Sequence, residues 1–299
     1  MAYSFEEIVG IVRQRQDIQS PLLSKMIDIK DRYNGDYVIP LPSMDEEPVL
    51  PPLTPSLISE NIDAVAQRAA SVTPYIGCPA VDPSKERGKR SRQYADIRKR
   101  ALAATWYQNK YKLKMRRAYR HLAGYATTAL VVNPDFKTGA PKIEVRDPLG
   151  VYPEPSAAEN YDIPRNCAFV YGKSGDWLRA NYPASRNENG GPIASDENAR
   201  QELWDCCEWI DEEDIVIGIM GPRYNHFNQT YPYHSTQLEL SRYKNLAGMP
   251  CVITPGRVTL DKISSSVSNI VGMVDLMAKL MALELIAQEK AIFPDRYII

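Results

Sequence analysis

Apolar side chains recur every three to four positions over the first part of the chain, and this spacing predicts helices. Ile8 and Val12 belong to one such face near the start, and Ile58 and Ile62 belong to another. A long basic helix is predicted next, over about residues 89–128. The first part of the predicted fold is therefore helical.

From about residue 124 the pattern changes to the apolar/polar alternation that is typical of strands. The segments ATTALVVNPD and PKIEVRDP flank a turn at Lys137-Thr138-Gly139 and predict a β-hairpin. Further strands are predicted in NCAFVYG, in ELWDCCEWIDEEDIVIGIM on both sides of an acidic turn, and in CVITPG. The predicted class is α+β, mainly helical, with a small β-region.

The last predicted helix, over residues 267–292, is apolar around most of its circumference. It is long enough to span a membrane, but charged residues interrupt it, and a charge in the middle of a bilayer costs several kcal/mol. These residues are Asp275, Lys279 and Glu284. We therefore predict no membrane span and expect the helix to be packed on most sides. Identical helices in a ring would supply those contacts, and so would the core of a monomer.

Charge is strongly segregated along the chain, although the net charge is only −1. Residues 85–120 hold 14 Lys/Arg and two acidic residues, whereas residues 196–214 hold nine Asp/Glu and one Arg. Segregation of this kind usually serves contacts with other molecules. Four arginines of the basic helix are candidates for a nucleic-acid surface: Arg90, Arg92, Arg98 and Arg100. The alternatives are a solvated helix face, or ion pairs with the acidic segment of this chain or of a neighbouring subunit.

One motif suggests catalysis, the sequence Gly172-Lys173-Ser174 after a predicted strand. A phosphate-binding loop has the pattern GxxxxGK[ST], which would require a glycine where the chain has Cys167. Ser174 is instead expected to cap a short helix in GDWLRANYP. The acidic turn near Asp211 could hold a cation, but a solvated turn is the stronger interpretation. We predict no enzyme, no catalytic residue, no cofactor and no metal site; a nucleotide-dependent enzyme acting through Lys173 is the weaker hypothesis.

Three stretches of the chain together resemble the portal proteins of tailed bacteriophages, particularly those of long-tailed phages that infect actinobacteria. The first runs from YNGDYVIPLP to LTPSLISENIDAVAQRAASVTP, and the second is GYATTALVVNPDFKTGAPKIEVRDPLGVYPEP. The third is MPCVITPGRVTLDKISSSVSNIVGMVDLMAKLMALELIAQEKAIFPDRY. The resemblance lies in the order of these segments and in their general residue pattern, since none of them is a catalytic signature.

The resemblance implies a fold and an assembly. Residues 1–255 would form the portal wing, with its β-region over about residues 124–255, and residues 256–299 would form the stem helix and the start of a clip. Members of the family continue beyond this point, so we expect the remainder of a full portal to be absent here. Portals are rings, usually of about twelve identical subunits, at one vertex of the capsid. The chain would then be a virion component, assembled in the host cytoplasm.

The resemblance also implies partners and a role. The ring would conduct double-stranded DNA during packaging, retention and ejection, and would contact the major capsid protein, the scaffold, the large terminase subunit and a head–tail adaptor. The candidates for residues near the DNA channel are Lys262, Lys279 and Lys290. In the alternative interpretation the chain is a non-enzymatic nucleic-acid-binding protein that uses the basic helix over residues 85–120.

Overall fold

The structure is α+β, as the sequence predicts. The computed structural model describes residues 3–37, 56–72, 76–80, 88–134, 141–155, 164–183, 200–222, 237–245, 252–255 and 264–292. The helices are α1 (Phe5–Asn34), α2 (Leu57–Ser71), α3 (Gly88–Gln108), α4 (Tyr111–Tyr125), α5 (Gly175–Asn181) and α6 (Val271–Ile292). The strands are β1 (Thr127–Pro134), β2 (Pro141–Arg146), β3 (Val151–Pro153), β4 (Asn166–Ser174), β5 (Leu203–Asp211), β6 (Asp214–Pro222), β7 (Leu238–Lys244) and β8 (Val252–Pro255).

Within the described residues the strands form two sheets. One sheet has the order β2-β1-β8, so β1 and β2 are neighbours, as the hairpin prediction requires. In the other sheet β3 to β7 follow one another in chain order, and each strand is antiparallel to the next. The strands predicted on both sides of the acidic turn are β5 and β6. The sequence analysis did not predict β3 or β7.

The long basic helix predicted over residues 89–128 is wrong as a single helix, because it is divided between α3 and α4. Lys110 has φ 50°, in the left-handed region, and this conformation ends the regular helix. The side chain of Asn109 holds the break in place. Its Nδ2 donates to the carbonyl of Pro141 at 2.8 Å, and its Oδ1 accepts from the amide of Ile143 at 2.9 Å. The break therefore depends on contacts with β2.

The chain divides into two compact units. Unit 1 consists of Met1–Leu23, Ala129–Val131 and Arg146–Thr254. Unit 2 consists of Ser24–Thr128, Val132–Val145 and Pro255–Ile299. The predicted division into a wing and a stem refers to a ring architecture and stays a prediction.

In unit 1 the beginning of α1 packs on one face of the five-stranded sheet. Ile8 and Val12 of this helix are buried against Trp209 of β5 and Val216 of β6, and Phe5 belongs to the same cluster. The apolar spacing that predicts the helix is thus the face that meets the sheet. Burying side chains of this size contributes about 1.5–3 kcal/mol each.

A buried ion pair lies on the other face of the same sheet. Glu208 follows Cys207 and precedes Trp209, and because side chains alternate along a strand it points away from α1. Arg146 Nη2 is 2.7 Å from Glu208 Oε2, and both side chains are largely buried. The guanidinium also lies 5.5 Å from the ring centroid of Tyr171. Burial, together with the negative charge of Glu208, raises the pKa of Tyr171.

The core of unit 2 is formed by helices. Ile29 of α1, Ile58 and Ile62 of α2 and Ala123 of α4 belong to one buried cluster, which also includes Val274 of α6. The apolar positions that predict α2 are therefore the positions that pack. As in unit 1, the helical spacing identifies the buried face correctly.

A polar network joins three helices of unit 2. The carboxylate of Asp63 on α2 accepts from Arg120 on α4 through Nε at 2.6 Å and Nη2 at 3.2 Å. The hydroxyl of Tyr33, near the end of α1, donates to the same carboxylate at 3.0 Å. Burial by itself would raise the pKa of Asp63, but the hydrogen bonds from Arg120 and Tyr33 outweigh it and the pKa is lowered. The charged form of Asp63 is therefore part of the helix packing.

Candidate assembly and nucleic-acid interfaces

Helix α3 is attached to the rest of unit 2 mainly at its C-terminal end. Trp106 stacks on Tyr111 of α4, with ring centroids 4.7 Å apart and an interplanar angle of 27°. The hydroxyl of Tyr111 in turn donates to the carbonyl of Val72 at 3.1 Å. Along α3 itself only Gly88 and Ala95 are buried. Most of the helix surface therefore faces solvent.

The four candidate arginines all lie on this exposed helix. Arg90, Arg92, Arg98 and Arg100 are exposed, and none of them forms an ion pair with a described residue. Arg98 donates from Nε to the carbonyl of Tyr94 within the same helix, at 3.3 Å. The structure thus leaves four positive charges, distributed around the helix, available for an external partner.

Large apolar side chains are also exposed on α3. The most exposed of them on α3 are Tyr94, Ile97, Leu102 and Tyr107. Tyr94 and Ile97 are neighbours on one side of the helix, and exposed apolar residues of this size beside arginines are typical of a contact surface.

The acidic segment, which the sequence offers as a counterpart to α3, uses several of its carboxylates inside unit 1. Glu208 pairs with Arg146. Asp214 lies 3.0 Å from Lys244 and 3.5 Å from Arg242, and the hydrogen bond from Lys244 is the main cause of its lowered pKa.

Asp211 is used in a different way, because it shapes the turn between β5 and β6. Its Oδ1 accepts from the amides of Glu213 and Asp214, and its Oδ2 accepts from Trp209 Nε1 at 3.0 Å. Among the described residues there is no group of three His, Cys, Asp or Glu side chains that could hold a metal ion. The described carboxylates of the acidic segment that remain fully exposed are those of Glu202, Glu212 and Glu213.

Helix α6 buries only one narrow stripe of its surface. The stripe has helical spacing and consists of Val274, Ala278, Ala282 and Ile286. Seven large apolar side chains elsewhere on the helix are exposed: Met273, Leu276, Met277, Leu280, Met281, Leu283 and Leu285. At about 100° per residue, six of these side chains cover an arc of about 160° that runs from Leu283 to Met281, and Leu285 lies about 40° beyond Met281. An exposed apolar face of this width is typical of a surface that contacts another molecule.

The charged residues of α6 are distributed unevenly around it. Asp275 is paired within the chain, because its Oδ2 accepts from Arg32 Nη2 of α1 at 2.8 Å. Lys279, one turn later, is half-buried at the border of the packed stripe. Glu284 is exposed and lies near the middle of the apolar face.

The structure describes only one of the three channel candidates in full. Lys262 lies outside the described residues, and so does the side chain of Lys290. A channel position for Lys279 stays a prediction. Among the described helices none is long and apolar enough to cross a membrane.

The motif that suggested nucleotide binding serves local packing instead. Ser174 Oγ accepts from the amide of Trp177 and caps α5, which confirms the capping prediction. Lys173 Nζ lies 4.6 Å from the centroid of the Trp177 ring and 5.6 Å from that of Tyr171. The lysine that the enzyme hypothesis needs is thus held against two aromatic rings of unit 1.

No protein-family model matches the chain. A search of curated proteins also found no match. The interpretation of the two exposed surfaces therefore depends on their own chemistry and on the resemblance described above.

Proposed function

We propose that the chain is a structural subunit of a bacteriophage portal, a ring at the capsid vertex that conducts double-stranded DNA. In this proposal the ring admits DNA during packaging, retains it, releases it at ejection and joins the head to the tail. The partners are further copies of the chain, the DNA, the major capsid protein and scaffold, the large terminase subunit and a head–tail adaptor. The site of action is the virion, after assembly in the host cytoplasm.

The observation that carries the proposal is the exposed apolar face of α6. Covering a half-exposed Leu or Met side chain is worth about 1 kcal/mol, so the seven side chains together favour association by roughly 7 kcal/mol per copy. A helix that is apolar over most of its surface is stable in water only when neighbours cover it. Further copies of the same helix provide such a cover.

The width of the face favours a ring over a two-fold dimer. Within the six-residue arc Leu283 lies at one edge and Met281 at the other, about 160° apart around the helix axis, with Leu285 outside the arc. In a ring of about twelve subunits the directions from one subunit to its two neighbours are about 150° apart. Each edge would then meet the opposite edge of the next copy, which is a heterologous contact that closes by rotation.

We expect the face of α6 to be necessary for assembly. Replacing Leu276, Leu280 and Leu283 by Ser should convert rings into monomers, since it removes the apolar area that the neighbours cover. The matched control replaces three exposed leucines elsewhere, Leu57, Leu113 and Leu203, by Ser and should still form rings.

The measurement for this pair is native mass spectrometry combined with negative-stain imaging of the protein at its full natural length. Rings of about twelve copies with a central hole are expected for the wild type. A wild-type protein that is a monodisperse monomer would falsify the portal proposal. Loss of assembly in both triple variants would show that α6 has no special role.

A cysteine pair tests the heterologous arrangement directly. With Cys78 and Cys251 replaced by Ser, the double variant Met281→Cys/Leu283→Cys should form a ladder of covalently linked multimers under mild oxidation. Each single variant should stay uncrosslinked, because the two edges meet each other and not themselves. Denaturing gels without reductant give the result, and efficient dimers from a single variant would instead indicate a two-fold contact.

A further inference from the structure

Helix α3 carries a second exposed surface, and the α6 contact does not account for it. The surface consists of the four arginines and of the exposed apolar residues of α3, all within unit 2. We propose that α3 binds the phosphate backbone of double-stranded DNA without sequence preference. This inference is independent of ring formation, because it rests on different residues.

The arrangement of the arginines is the first argument. Arg90 and Arg100 are about 15 Å apart along the helix at 1.5 Å per residue. Around the axis, Arg98 lies about 100° to one side of Ile97 and Arg100 about 60° to the other side. By the same count Arg90 lies about 20° from Ile97 and Arg92 about 140° from it, nearer to the buried side of the helix. Three of the four arginines are therefore spread across the exposed face, where they can reach phosphates of two strands.

The shape of the exposed face is the second argument. Its centre consists of Ile97, Ala101 and Ala104, at spacings of four and three residues. Ala101 and Ala104 are small, and the major groove of B-form DNA, about 12 Å wide, admits an α-helix. The Ala95 side of the helix, opposite this line, is the side that is buried.

The state of the nearby acids is the third argument. Asp96 is the only acidic residue in α3, and none of the four arginines has an ion-pair partner among the described residues. In the acidic segment, Glu208 and Asp214 already hold their own cations in unit 1. Among the described residues of that segment only Glu202, Glu212 and Glu213 are exposed, which is fewer than the six basic residues of α3. A polyanion with regularly spaced phosphates supplies that charge, and binding releases condensed counterions.

The test is a titration of the protein into a fluorescent duplex of about 25 base pairs, followed by anisotropy at about 50 and 200 mM salt. The variant replaces Arg90, Arg92, Arg98 and Arg100 by Gln. We expect its affinity at the lower salt concentration to fall at least about tenfold, and the slope of log K against log salt to flatten by about 3 to 4. Duplexes of two unrelated sequences should give the same result.

Two further variants make the result specific to α3. The matched control removes four exposed cations elsewhere by changing Lys25, Lys30, Arg68 and Arg165 to Gln, and it should bind within about threefold of the wild type. Replacing the four α3 arginines by Lys keeps the charge and should retain binding within about fivefold, since a phosphate contact needs mainly a positive charge. Circular dichroism should show unchanged helix content in all three variants.

The outcomes that overturn the inference are also defined. They are the absence of DNA binding by the wild type at low salt, an equal loss in the α3 variant and the matched control, or an α3-dependent affinity for anionic lipid vesicles that exceeds the affinity for DNA. Double-stranded RNA should bind more weakly than DNA, because its major groove is too narrow for a helix. The α6 variant should lose its rings and keep its DNA affinity, because the two surfaces are independent. The α3 variant should lose DNA binding and keep its rings, and this result would establish the α3 surface separately.

Discussion

Replacing Arg146 by Met is expected to lower the free energy of unfolding of unit 1 by about 3–5 kcal/mol. The reason is that the substitution leaves Glu208 buried on the sheet face without the guanidinium that lies 2.7 Å from it. Removing one member of a buried ion pair costs more than the pair itself contributes, because the remaining charge keeps its desolvation penalty. Urea unfolding, with hydrogen exchange of β5 peptides to identify the unit, measures the change.

A second substitution in the same chain shows whether the desolvated carboxylate is the cause. The double variant Arg146→Met/Glu208→Leu should recover most of the lost free energy of unfolding, to within about 1–2 kcal/mol of the wild type. It removes both charges and keeps side chains of similar volume at the two positions. Arg165→Met, on an exposed arginine of unit 1, should change the stability by less than about 0.5 kcal/mol. A double variant that is as unstable as Arg146→Met alone would contradict the explanation, because loss of packing by the arginine would then be the cause.

The helical spacing predicts the buried faces of α1 and α2 well, because each of these helices packs on one side only. Ile8 and Val12, and likewise Ile58 and Ile62, are the residues that the structure buries. The break between α3 and α4 could not be predicted in this way. It depends on hydrogen bonds from Asn109 to Pro141 and Ile143, which the chain brings together only on folding.

The sequence did not predict strands β3 and β7, for two different reasons. β3 has only three residues, too few for any alternation to be recognised, and it is defined by its pairing with β4. β7 does carry a signal, since Leu238 and Leu240 alternate with Glu239 and Ser241. The alternation covers only four positions, which is short for a strand prediction, but it could have been found.

The two candidate surfaces differ in how much of them the sequence reveals. The exposure of the α3 arginines follows from their charge, and their identity as candidates required no structure. For α6 the apolar residues surround the helix, so periodicity cannot indicate which side packs within the chain. The contacts in the structure show which side packs: the side with the buried Val274, and with Asp275, which accepts a hydrogen bond from Arg32. Likewise, the sequence of the acidic segment does not reveal that Glu208 and Asp214 are neutralised inside unit 1.

Adding one methyl group at Gly218 should destabilise unit 1, whereas the same change at Gly10 should not. A Cβ at Gly218 would collide with the ring of Phe5 and would lie 2.8 Å from the carbonyl oxygen of Leu238, so the N-terminal turn of α1 and strand β7 would have to move. Overpacking of this kind costs about 1–3 kcal/mol. A Cβ at Gly10, in the exposed part of α1, meets nothing within 4 Å, and alanine there should add about 0.5–1 kcal/mol through its helix propensity.

Gly218→Ala and Gly10→Ala are therefore the same chemical change with opposite expected effects on stability. The midpoint of urea unfolding should fall for the first variant and rise for the second. Changing Phe5 to Leu in the Gly218→Ala background removes the far end of the colliding ring and should make the added methyl group less costly than it is beside Phe5. The part of the cost that persists belongs to the Leu238 carbonyl, which cannot withdraw without disturbing the pairing of β6 and β7. If Gly218→Ala were as stable as Gly10→Ala, the close approach of α1 to β6 would not exist in solution, and the packing of α1 against Trp209 would have to differ from the arrangement described above.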